Sequence, residues 1–127
     1  MSAKLVVGKI SVKFFRNGNP VGTDFNSENV QMSLDAFAAS ETNRKVGIGY
    51  GQKYPDGVHT LSVSPQGPAR LDYIANGPAA FATGIITLTV SKDQDRQDGE
   101  IDVTILDDLG RPVNMKGTYE AEYSFNK

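Results

Sequence analysis

The sequence predicts an all-β domain: an antiparallel β-sandwich of about eight strands, with a small barrel as the alternative. Three observations point there. Short runs alternate apolar and polar residues along most of the chain, and turn residues separate them about every eight to fourteen positions. No ten-residue stretch clearly encodes a helix. Residues 84–125 hold three alternating runs in succession, a C-terminal β-meander.

The meander is the clearest signal. Ile86, Leu88 and Val90 share one parity, and Thr87 and Thr89 the other. This period of two in β-branched residues marks a half-buried strand. The polar run Lys92 to Gly99 has nothing apolar to bury, so an exposed connection is expected, with Asp98-Gly99 as its turn. Ile101, Val103 and Ile105 then alternate with Asp102 and Thr104. Asp107 to Pro112 turns the chain again, because Gly110 accepts a positive φ and Pro112 cannot donate to a ladder. Tyr119, Ala121, Tyr123 and Phe125 fall on one face of the last strand.

Earlier in the chain, Val6, Gly8, Ile10, Val12 and Phe14 form the inward parity of a first strand, which Asn17-Gly18 ends with a hairpin signal. Residues 21–29 are polar, anchored by Val21 and Phe25. Val30 to Ala39 fits a strand through Val30, Met32, Leu34 and Ala36, and a helix through Val30, Leu34 and Phe37. The strand is preferred because both flanks are β-like. Val46, Ile48 and Tyr50 alternate with Gly47, Gly49 and Gly51, which suits a bulge or the close approach of another backbone or a ligand. Tyr54-Pro55-Asp56-Gly57 is expected to turn, and His59, Leu61 and Val63 to face inward after it. Pro65 to Pro68 breaks that strand, Ala69, Leu71 and Tyr73 give a short one, and Ala75 to Pro78 a loop. The expected core is Val12, Phe14, Ile86, Leu88, Val90, Ile101, Val103, Ile105, Tyr119 and Tyr123.

Length and composition bound the function. With 127 residues, the chain suits one domain, 1–127, with a core that needs no staples. A net charge of −2 lacks the basic footprint of a nucleic-acid binder, so no nucleic-acid partner is expected. The absence of cysteine removes disulfides, thiolate nucleophiles and cysteine metal sites. Met1 to Lys9 holds no long apolar run, so neither a signal peptide nor a membrane span is expected, and a cytoplasmic location is the default. A chain whose signal had been removed would read the same way.

Candidate chemistry is sparse. Asp93, Asp95 and Asp98 resemble calcium ligands, but an EF-hand loop starting at Asp93 would need an oxygen ligand at Gln97 and glycine at Asp98. The glycine comes one residue late, and a solvated hairpin tip explains the acids better. His59 is the single histidine, with no Gly-x-Ser-x-Gly elbow beside it and no second histidine for zinc. It reads as a strand-end residue making one hydrogen bond. The glycine run 47–51 lacks the Gly-Lys-Ser/Thr ending of a phosphate loop. Tyr50, Tyr54 and Tyr73, with His59, are the candidate ligand-binding residues: aromatic faces stack on sugars, though tyrosines equally close the end of a sandwich. No cofactor is expected.

From residue 57 onward the order of signals resembles a family. Gly57-Val58-His59-Thr60-Leu61 is similar to a Gly-x-Tyr-x-Leu strand start, and Gly84 to Leu88 to the Gly-x-Ile-x-Ile-Thr strand after it. Gly99-Glu100-Ile101 and Gly117-Thr118-Tyr119 resemble two Gly-Thr-Phe strand starts. This order is similar to uncharacterised β-sandwich domains of small bacterial lipoproteins and covers about half the chain. The chain lacks their lipoprotein signal and acylated cysteine. The resemblance implies a sandwich fold and no particular activity. The expected function is a non-catalytic module that binds a protein partner or a glycan, or assembles as a homo-oligomer. The alternative is a small hydrolase-type enzyme using carboxylates or His59.

Overall fold

Two antiparallel sheets pack face to face in a computed structural model that describes residues 4–125, apart from the side chains of Lys4 and Phe125. The reading of residues 1–3 and the inward placing of Phe125 lie outside the described residues. Among these are twelve strands and no helix: β1 (Lys4–Arg16), β2 (Asn19–Pro20), β3 (Phe25–Ser27), β4 (Val30–Ser33), β5 (Ala36–Ser40), β6 (Arg44–Gly49), β7 (Gly57–Val63), β8 (Arg70–Ala75), β9 (Ala80–Phe81), β10 (Thr83–Ser91), β11 (Arg96–Leu106) and β12 (Pro112–Phe125). The larger sheet runs β2-β1-β12-β11-β10-β7, with β3 also on β1; the smaller runs β4-β5-β6-β8-β9. They do not close into a barrel. No helix among the described residues is long and apolar enough to cross a membrane.

The meander β10-β11-β12 forms as its alternation predicts, and β12 then pairs along nearly the whole of β1, from Lys4↔Phe125 to Phe15↔Asn114. The inner face of this sheet is built in rows across the strands. One row is Val12, Gly117, Ile101, Ile86 and Leu61; the next is Ile10, Tyr119, Gly99, Leu88 and His59. The smaller sheet covers these rows with Val30, Met32, Phe37, Ala39, Val46, Ile48 and Leu71. All the expected core residues are buried except Tyr123, which is half-buried and donates its hydroxyl to the Met32 carbonyl.

Several expectations change in detail. The connection after β10 is shorter than residues 92–99: only 92–95 turn, and Asp98 and Gly99 pair with Thr89 and Leu88 inside the ladder. Lys92, Asp93 and Gln94 take left-handed φ values of 56°, 57° and 68°, so three non-glycine residues make the turn that Asp98-Gly99 was expected to make. The Asp56 carboxylate accepts hydrogen bonds from the Asp93 and Gln94 N–H groups at 3.0 and 2.8 Å and so holds this conformation. Gln97 is in the core rather than in a loop, because its amide finds two partners there.

Residues 30–39 are β as preferred, but as a hairpin rather than one strand. Leu34 and Asp35 turn the chain, and the inward set passes from Val30 and Met32 to Phe37 and Ala39. Alternation alone could not show that break, since apolar Leu34 sits in the turn. No bulge interrupts 44–49, whose register is continuous on both sides. The close approach falls instead at Gly51, where an added Cβ would lie 2.7 Å from the Pro68 carbonyl oxygen. Residues 54–56 are an extended loop with one bend at Asp56. Gly99 and Gly117, matched above to strand starts, lie inside β11 and β12. β12 begins at Pro112, adding Val113 and Met115 to the core.

Candidate functional site

One end of the sandwich opens into a cleft of about 410 Å³ between the sheets. Its apolar lining is Phe14 from β1, Val21 after β2, Tyr73 from β8, Ala80 from β9, Ile105 from β11 and Val113 from β12, and polar groups make up the rest. An apolar cleft of this size with a few convergent polar groups is where ligands are generally held. The polar groups here are Arg16, Thr23, Arg44, Asp107 and Asp108.

Arg16 and Asp107 reach the cleft for local reasons. Arg16 continues the inward parity of Val12 and Phe14 one step beyond the core, just before the Asn17-Gly18 turn. Asp107 opens the turn between β11 and β12 and caps it, accepting the N–H groups of Leu109 and Arg111 at 2.9 Å each and the Arg111 Nε at 2.9 Å. Its second oxygen also takes Arg16 Nη2 at 2.5 Å. The Arg111 and Leu109 N–H groups and the Arg111 guanidinium hold the Asp107 carboxyl below its ordinary range. Arg16 thus has one nitrogen fixed by an anchored carboxylate. Its Nε is buried with no hydrogen-bond partner among the described residues, and no partner falls to its Nη1 either.

Arg44 is spent on structure. It bonds the Glu41 carboxylate, donates to the Thr23 and Asp24 carbonyls at 2.7 and 2.6 Å, and lies 5.3 Å over the Phe25 ring. Burial alone would lower its pKa, but hydrogen bonds to Tyr73 and Glu41 outweigh that and leave it raised. Its work is to tie the loop after β2 to β6.

The residues singled out in the sequence do not converge. Tyr73 lines the cleft, its ring packed on Phe14 at 5.2 Å and edge-on to Phe25 at 6.4 Å. Tyr50 is buried in the core, so it offers no face to a ligand. Tyr54 packs against His59 at 4.7 Å beside β7. His59 Nε2 lies 2.8 Å from the Pro55 carbonyl, which only accepts, so that nitrogen carries the proton. Among the described residues no group of three or more His, Asp or Glu is placed to hold a metal ion. Asp98 is instead gripped by Arg96 through two bonds of 2.8 Å, away from the turn that carries Asp93 and Asp95.

A second depression, of about 810 Å³, lies on the outer face of the larger sheet. Thr87, Thr89 and Thr118 line it with Glu28, Asp98, Glu100 and Glu120. Arg96 binds Asp98, Glu120 and Glu122 together, and these carboxylates, Asp98 and Glu122 first, raise its pKa. Arg16 and Asp107 escaped the sequence reading, although the parity that runs from Val12 through Phe14 to Arg16 was a usable signal. No family model, curated protein or solved structure matches the chain.

Proposed function

We propose that this chain is a non-catalytic binding module that takes its ligand in the end cleft. One observation carries the reading: apolar side chains meet the partly exposed guanidinium of Arg16, which Asp107 anchors on one side. A ligand with an apolar body and a carboxylate or carbonyl oxygen suits both features, because hydrogen bonds from a charged guanidinium are the stronger kind. A partner protein offering an apolar side chain beside a C-terminal carboxylate has this chemistry. A glycan fits less well, since the one tyrosine in the cleft already packs against Phe14 and Phe25.

N-acetyl-leucine, titrated to millimolar concentration and followed by methyl NMR, tests this. The expected result is a saturable shift of the Val21, Ile105 and Val113 methyls, weakened in Arg16→Met and for the uncharged N-acetyl-leucine amide. An unmoved set of cleft methyls would sink the reading.

A carboxylate-based hydrolase is the second reading, favoured by Glu28 and Glu100 bordering one depression. Hydrolysis of chromogenic glycosides by the purified chain, abolished by Glu100→Gln, would establish it in place of the first.

A further inference from the structure

The edges of the two sheets are unequal. β1 is covered along part of its outer edge by β2, which carries Pro20, and by β3. The edges of the smaller sheet are β4, four residues long, and β9, two residues long. β7 is different: seven residues, Gly-Val-His-Thr-Leu-Ser-Val, at the end of the larger sheet, without proline, lysine, arginine or a carboxylate. Proteins usually blunt a strand of this kind with such residues, since an open edge is a template for another strand.

The direction of its free groups is fixed by its neighbours. Ser64 donates its N–H to the Ala69 carbonyl at 3.3 Å, away from β10. Backbone direction alternates along a strand, so Val58 and Thr60 also present N–H and C=O outward, while Gly57, His59 and Leu61 bond to β10. Ala69 bridges Val63 and covers the far end. The uncovered run is therefore Gly57–Leu61, whose midpoint is His59. Val58 lies on it, 69% exposed.

We infer that β7 pairs antiparallel with β7 of a second copy of this chain, across a two-fold axis at His59. This inference does not depend on the cleft. The register sets Val58 opposite Thr60 of the other copy, twice by symmetry, so each outward N–H and C=O at these positions finds a partner. Each Val58 side chain gains a cross-strand neighbour. The run carries no side chain of fixed charge, so self-pairing brings no such like charges together. A ladder this short buries less than the roughly 1,200 Å² of a standard stable interface, so the dimer forms with rising concentration rather than being permanent.

Sedimentation velocity from micromolar to millimolar protein tests it on the full chain. Wild type is expected to pass from monomer to dimer. Thr60→Pro removes an N–H that does not serve β10, so the fold survives while the dimer weakens at least tenfold; Val58→Lys does the same by charge. His59→Cys places two sulfurs across the axis at a non-hydrogen-bonded pair. In a chain with no other cysteine, mild oxidation should then link two copies. A monomer at every concentration overturns the inference and leaves the edge to a strand from a different protein. A dimer that neither Thr60→Pro nor Val58→Lys weakens, with no cross-link in His59→Cys, overturns it as well.

Discussion

The hydroxyls of Tyr50, which directly follows β6 of the smaller sheet, and Tyr119, in β12 of the larger, lie 2.8 Å apart inside the core. Tyr50 gives its proton to Gln97 Oε1 at 2.7 Å, so Tyr119 must donate to Tyr50. Gln97 Nε2 closes the chain on the Ser33 carbonyl at 2.7 Å. Replacing Gln97 by Leu leaves one hydroxyl proton of the Tyr50–Tyr119 pair without an acceptor in the core and should cost about 1–3 kcal/mol in urea unfolding. Tyr119→Phe strands no donor and should cost less. An equal or reversed order would mean that the network is not what joins the sheets here.

The same burial pushes both hydroxyl pKa values up, with the neighbouring hydroxyl adding to the effect at Tyr50 and opposing it at Tyr119. A raised folded pKa contributes stability that is whole below the unfolded value of about 10 and is lost as pH rises above it. Ultraviolet titration should therefore show Tyr50 and Tyr119 ionising only as the protein unfolds in alkali. Substituting Phe at either position should remove one of these late protons. A reversible early titration of all five tyrosines would contradict this.

Gly99 is required by the ring beside it. A Cβ at residue 99 would sit 2.0 Å from Tyr119 Cε1, and that ring is stacked on Phe37 at 4.2 Å and cannot easily give way. Gly99→Ala should destabilise by about 1–3 kcal/mol, the usual cost of overpacking a filled core. In a Tyr119→Ala background the further cost of Gly99→Ala should shrink, since the ring it meets is gone. No loss in Gly99→Ala would show that the ring can move.

Leu88 is fully buried in the row that Tyr119 and Ile10 share. Leu88→Ala should cost about 2–5 kcal/mol of unfolding free energy. A loss under about 1 kcal/mol would put the register of β10 in error by one residue.

Calcium should leave the melting temperature unchanged, because among the described residues no three acids converge on a site and Asp98 is held by Arg96. The decisive contact at that turn is Asp56. Asp56→Ala removes the acceptor of two N–H groups and should lower the melting temperature by several degrees, with or without chelator. A rise with millimolar calcium, abolished in Asp95→Ala or Asp98→Ala, would reverse this assignment.

Acid should act through Asp107. Its folded pKa is depressed, so its contribution is present above the unfolded value near 3.9 and is lost as pH falls through the lower folded value. Asp107→Asn should therefore flatten part of the acid limb of stability against pH. An unchanged limb would show that the turn does not depend on the charge.

Much of the fold was legible because each strand writes its own burial into a period of two. Ile86, Leu88 and Val90 needed no knowledge of the rest of the chain to be placed inward, and neither did Val12 and Phe14. Asn17-Gly18 was legible for a related reason, since both residues take the positive φ that such a pair favours. The left-handed turn at 92–94 was not, because none of its residues is a glycine and the group that stabilises it is Asp56, far away in sequence.

The candidate site follows the same division. Alternation told which side of a strand faces inward, and that much is a property of neighbouring residues. Which strand lies opposite is a property of the whole chain: β1 meets β12 across more than a hundred residues, Tyr50 meets Gln97 and Tyr119, and Arg16 meets Asp107. Those encounters turn a polar residue into a buried bond or a cleft into a charged one. They could not be read from spacing, because a glutamine or an arginine carries no periodic mark of its partner until packing removes the water around it.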